Sequence, residues 1–146
     1  MSSNDVPTAT FQGSCHCGQI KYEVTLPEVD HWELGRCNCT VCHKKGYTAL
    51  LGKADSLKVI SPSNESEIGD YTFGQNKIHH HFCKNCGTGT YVCGHVEALG
   101  GNFVMVNAHS IDDVDLSKIK IGKYWNGREN KWTDGPSDVP IKPGAW

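Results

Sequence analysis

Cys37-Asn-Cys39-Thr-Val-Cys42 places three thiols within six residues, and His43, Lys44 and Lys45 follow at once. No packing role needs cysteines this close. Thiolates are the strongest protein ligands for zinc, and short spacers let one ion collect several of them. Two further pairs flank the trio: Cys15-His-Cys17, between Gly13 and Gly18, and Cys83-Lys-Asn-Cys86, closed by Gly87. Flanking glycines let the backbone curl until its amides face the sulfurs. The eighth cysteine, Cys93, stands by itself.

The compartment decides how eight cysteines are read. The start, Met1 to Thr10, is polar and lacks the apolar segment of a secretory signal. No apolar run approaches the ~20 residues that span a bilayer. A cytoplasmic protein is therefore expected, where reduced cysteines serve metal or catalysis rather than four disulfides. Spacing agrees, because C-x-C and C-x-x-C pairs are poor disulfide partners and good chelates. A length of 146 residues predicts one domain with a modest core. The formal net charge is −2 and the basic residues form no block, which argues against nucleic acid as a partner.

Short strands dominate the patterning. Ile20, Tyr22, Val24 and Leu26 alternate with polar residues up to Pro27, as a half-buried strand does. Thr40 is the expected N-cap of one helical turn over Val41–Lys45, with Gly46 as its stop. Cys42 then lies in the first turn, where exposed amides favour thiolate. Tyr47–Leu51 and Leu57–Ile60 read as strands around a turn at Gly52–Ser56, and Ser61–Gly69 as a polar loop. Asp70–Phe73 and Lys77–Phe82 read as a hairpin. On its second strand Ile78, His80 and Phe82 share one face, His79 and His81 the other. Further strands are expected at Thr88–Cys93, Asn102–Val106 and Ile119–Trp125, with loop at Gly94–Gly101 and a helical turn within Ile111–Leu116. The reading is a mainly-β domain over 11–133, stapled by metal, between a flexible stretch at 1–10 and an irregular tail at 134–146.

Two divisions of the thiols are chemically sensible. Cys15, Cys17, Cys83 and Cys86 form a closed four-thiolate site in both. Cys37, Cys39 and Cys42 are then left either as an open three-thiolate site or closed by Cys93. Four ligands make a structural zinc, whereas three leave a position for water or substrate.

The order Gly13-Ser-Cys-His-Cys-Gly18, Cys37-Asn-Cys-Thr-Val-Cys42, Tyr71-Thr-Phe73 and His81-Phe-Cys-Lys-Asn-Cys-Gly-Thr88 resembles the glutathione-dependent formaldehyde-activating enzyme family, which includes centromere protein V. Val106-Asn107 and Asp112–Asp115 extend the likeness, which covers about residues 11–130. The resemblance implies a β-tent fold of small sheets and two zinc ions. One would be structural, on Cys15, Cys17, Cys83 and Cys86. The other would be catalytic, on Cys37, Cys39 and Cys42 with its fourth position open. Cys93 lies outside the family's seven cysteines.

A zinc on three thiolates carries net charge near −1, a poor setting for activating water but a good one for taking up an incoming thiol. This agrees with the chemistry the resemblance implies: addition of glutathione to formaldehyde to give S-hydroxymethylglutathione, in reverse a carbon–sulfur lyase reaction. The cysteines would be ligands, not nucleophiles. His43, His79, His80 and His81 are the candidate proton acceptors, although no spacing distinguishes one from strand filling or exposure. Arg36, Lys44, Lys45 and Lys77 could meet glutathione carboxylates, and Tyr47 and Trp125 could line a pocket, against a default of solvated face and core. Two other readings stand beside this one. The first is a non-catalytic zinc module of the centromere protein V type. The second is a paralogue processing a larger metabolite, its pocket shaped by Ser61–Gly69 and Gly94–Gly101.

Overall fold

The computed structural model describes residues 6–144, and residues 1–5 of the expected lead-in lie outside them. Among the described residues ten strands carry the fold: β1 (Thr8–Ser14), β2 (Lys21–Pro27), β3 (Leu34–Cys37), β4 (Ala49–Lys53), β5 (Leu57–Ser61), β6 (Ile68–Tyr71), β7 (Ile78–Cys83), β8 (Gly89–Val96), β9 (Gly101–Asn107) and β10 (Ile121–Trp125). One α-helix, α1 (Thr40–Lys45), and several single 3-10 turns complete them. The mainly-β expectation holds.

The strands form two sheets, ordered β1-β2-β5 and β10-β3-β4-β9-β8-β7-β6. Every pairing is antiparallel except β10 on β3, which is parallel. A parallel neighbour needs a long return, and here it brings the late segment around Trp125 beside Cys37.

The alternation in β2 does what it predicts. Tyr22, Val24 and Leu26 are buried, while Lys21 and Thr25 face solvent. They meet Leu34, Leu50, Val106 and Ile111 in the main core, where each fully buried large side chain contributes roughly 1.5–3 kcal/mol. The Tyr22 hydroxyl meets Ser110 Oγ at 2.5 Å, so its polar end is satisfied. A second cluster gathers Tyr47, Val92 and Phe103, with Cys42, Val96, Leu99 and Met105 against them.

Several local expectations change. β1 begins at Thr8, so residues 8–10 of the expected flexible stretch are a strand paired with β2. β4 and β5 flank a turn as expected but part into different sheets, because β5 pairs with β2 and β4 with β9. Ser61–Gly69 contains a 3-10 turn at Glu65–Glu67 and the start of β6. β8 runs on to Val96, shortening the expected loop, and the helical turns fall at Ala108–Ser110 and Leu116–Lys118 rather than across Ile111–Leu116. The N-cap of α1 is Cys39, not Thr40; Gly46 ends the helix at φ 65°, ψ 37° as expected.

Candidate metal centres

Cys15 and Cys17 lie in the turn between β1 and β2, on the smaller sheet, whereas Cys83 ends β7 and Cys86 lies in the turn before β8, on the larger. The fold brings all four sulfurs within 4.8 Å of one another. Cys15–Cys17 and Cys17–Cys83 are each 3.6 Å apart. Four sulfurs around one zinc at ~2.3 Å in a tetrahedron stand roughly 3.8 Å apart, so the donor set fits that ion nearly as it stands. Gly18 and Gly87, at φ 82° and 79°, turn the chain so that amides face the sulfurs. Ile20 N–H donates to Cys15 Sγ at 3.2 Å and Cys86 N–H to Cys83 Sγ at 3.5 Å. Hydrogen bonds from Thr88 hold Cys86 down to about 5, while burial pushes Cys83 up to about 11.

The second group comes from the β3–α1 junction. Cys37 ends β3, Cys39 caps α1 and Cys42 occupies its first turn. Their sulfurs also lie within 4.8 Å of one another. Hydrogen bonds from the Cys37 and then the Cys42 thiol hold Cys39 down to about 3, and the Cys42 amide adds to this. The same sharing pushes Cys37 up to about 11 and Cys42 upward as well. Three sulfurs this close oppose one another's ionisation, and a cation among them relieves that. Soft, closely grouped donors of this kind suit zinc. Cys93 joins neither group; its Sγ lies 3.5 Å from His81 Nε2 on the far side of β7–β8.

Surroundings separate the two groups. Only the trio lines a cavity of about 600 Å³, walled by Trp32, Tyr47, Phe103, Trp125 and Trp132 among others. Two buried side-chain polar atoms there, Tyr47 Oη and His80 Nδ1, find no hydrogen-bond partner. Burial, then Lys45, pulls His80 below the usual histidine range, which leaves it neutral at neutral pH. Burial pushes the Tyr47 hydroxyl well above its usual range.

The histidines divide by face. His80 lines the cavity, whereas His79 is held by Asp70 at 2.9 Å and His81 by the Gly69 carbonyl at 3.2 Å on the opposite side. His43 is exposed on α1. Tyr47 and Trp125 do line the cavity, as does Arg36, while Lys44 and Lys77 do not. Lys45 lies over the Phe82 ring, 5.6 Å from its centroid.

Sequence reasoning missed Asn38, which is fully buried between two cysteines. Its N–H donates to the Trp125 carbonyl and its side-chain amide to Asn126 Oδ1, while Arg128 donates from its backbone to Asn38 Oδ1 and from Nε to the Asn38 carbonyl at 2.9 Å. The 127–132 segment is thereby tied over the trio. Gly127 permits the close approach, since a Cβ there would stand 2.5 Å from Cys37 Sγ. No local signal marks these residues, because their partners lie some 90 positions away.

The two-sheet fold, with a four-thiol group joining the sheets and a three-thiol group opening on a cavity, defines a small cysteine-rich β protein with two candidate metal centres. The model of the glutathione-dependent formaldehyde-activating enzymes matches residues 10–128. The chain belongs to that family. A Halomonas elongata protein named "putative glutathione-dependent formaldehyde-activating enzyme" is 33% identical over 91 residues, covering 56% of this chain and 55% of its own. The chain thus matches about half the length of that curated relative. A Rhodobacter sphaeroides protein of known crystal structure shares the fold at a TM-score of 0.63 and 26% identity, covering 79% of this chain and 99% of its own. Among the described residues no helix is long and apolar enough to cross a membrane.

Proposed function

We propose that the protein is a carbon–sulfur lyase that forms or cleaves the hemithioacetal between glutathione and an aldehyde, formaldehyde being the one in the family's name. In this reading each chain holds two zinc ions, a structural one on Cys15, Cys17, Cys83 and Cys86, and a catalytic one on Cys37, Cys39 and Cys42. The observation that carries it is the cavity, which the trio lines together with His80.

When bound, the second zinc supplies a site that favours the thiolate form of an arriving thiol. His80, neutral and lining the cavity, is suited to take the proton of that thiol during synthesis and of the adduct hydroxyl during cleavage. Tyr47 keeps its proton and forms part of the wall beside Cys42. The tryptophans limit water at the reacting carbon, and Arg36, Lys123 and Arg128 on one wall provide positive charge for the glutathione carboxylates. Magnetisation-exchange NMR with glutathione and formaldehyde tests the reading. The zinc-loaded protein should speed exchange between free and adduct glutathione, and Cys42→Ser should abolish that effect. No acceleration by protein with full metal content would leave a non-catalytic module.

A further inference from the structure

The cavity has two unlike walls, and the thiol trio sits at their seam. On one side, Cys37 lies beneath Gly127 and Trp132, with Arg36, Arg128 and the Lys123–Glu33 pair, 3.8 Å apart, in the lining. On the other, Cys42 packs with Ile78, Val96, Leu99, Phe103 and Met105, a wall with no charged side chain among them. Leu51 and Phe73 extend the lining while remaining 47% and 49% exposed. Large apolar side chains left open to water around a cavity mark a site for apolar ligand surface.

Glutathione, with two carboxylates and an ammonium, matches the charged wall of three cations and Glu33 and gains nothing from the apolar one. Formaldehyde supplies a single carbon and leaves that second wall bare. We propose that the aldehyde half of the adduct is bulky and hydrophobic, an aliphatic chain of about six carbons or an aryl ring lying along the Cys42 wall. The inference rests on the lyase reading and names its substrate class. In cleavage the carbon–sulfur bond of R–S–CH(OH)–R′ breaks, its electron pair leaves with sulfur, and the hydroxyl proton passes by way of His80 to the thiolate. The products are glutathione and the aldehyde R′CHO, with no oxidant or reductant consumed.

Unreactive thioethers test the binding preference without turnover. Calorimetric titration of the zinc-loaded protein with S-methyl-, S-hexyl- and S-benzylglutathione should show the hexyl and benzyl compounds binding about 30-fold or more tightly than the methyl, as burial of several methylenes predicts. Leu99→Ser should shrink the ratio of S-hexyl- to S-methylglutathione affinity several-fold, and that ratio is the readout. Equal affinities across the series, with formaldehyde exchange still accelerated, would overturn the bulky aldehyde and leave the lyase intact. No binding by any of the three, and no accelerated exchange, would remove the glutathione reading and this inference with it.

Discussion

His80 distinguishes itself from its neighbours by position alone. It shares β7 with His79 and His81, yet it turns toward the thiols while they turn to Asp70 and Gly69. Replacing His80 with Gln should lower kcat/KM about 100-fold, in keeping with loss of a general acid–base group, whereas His79→Gln should leave it near wild type. The pH dependence has a definite sign. Burial holds the folded-state pKa of His80 below its unfolded value, so the unfolded chain binds the proton more readily. Stability is therefore full above the usual histidine range and falls as pH drops from ~6.5 toward the lower folded value. Urea unfolding at fixed zinc should show that slope in the wild type and a flatter one in His80→Gln. Gly127 offers a purely steric test. A methyl group there would stand 2.5 Å from both Cys37 Sγ and the Trp132 ring, so Gly127→Ala should destabilise by roughly 1–3 kcal/mol. It should also lower metal content at the trio, which elemental analysis would read.

Among the elements, those whose residues answer to their immediate neighbours were the legible ones. β2 could be read from alternation, the β6–β7 hairpin from its turn, and the end of α1 from Gly46. The pairing of β5 with β2 could not, because adjacency of β4 and β5 in sequence suggested a shared sheet while the buried face of β2 took β5 instead. The trio and each of the two pairs were legible because short spacers confine their sulfurs. The meeting of the pairs, 66 residues apart, was legible only from the four-thiolate chemistry of zinc and the family likeness. The cavity was not, because its second wall arrives with β10, and a parallel partner for β3 leaves no periodic trace of its own. Asn38 joins those walls. Asn38→Ala would orphan the Asn126 and Arg128 groups that it now satisfies, at about 1–3 kcal/mol each when buried. Thermal unfolding should detect that loss, and tryptophan fluorescence should report a loosened Trp125–Trp132 region.

For the whole molecule, the four-thiol group is the joint between the two sheets, because it takes two sulfurs from each. Cys83→Ser should therefore abolish cooperative folding, whereas Cys42→Ser should drop the zinc count from two to one with the fold retained. Zinc stoichiometry and circular dichroism on both variants decide the point. The closing of the trio by residues 125–132 bears on the order of synthesis. Cys42 emerges 86 residues before Arg128 (128 minus 42), and at ~5–20 residues per second that gap lasts roughly ten seconds. Through that interval the nascent chain carries three neighbouring thiols without the wall that later covers them. In that interval they are open from the side that Trp125 and Trp132 later wall, and afterwards the cavity is the way in.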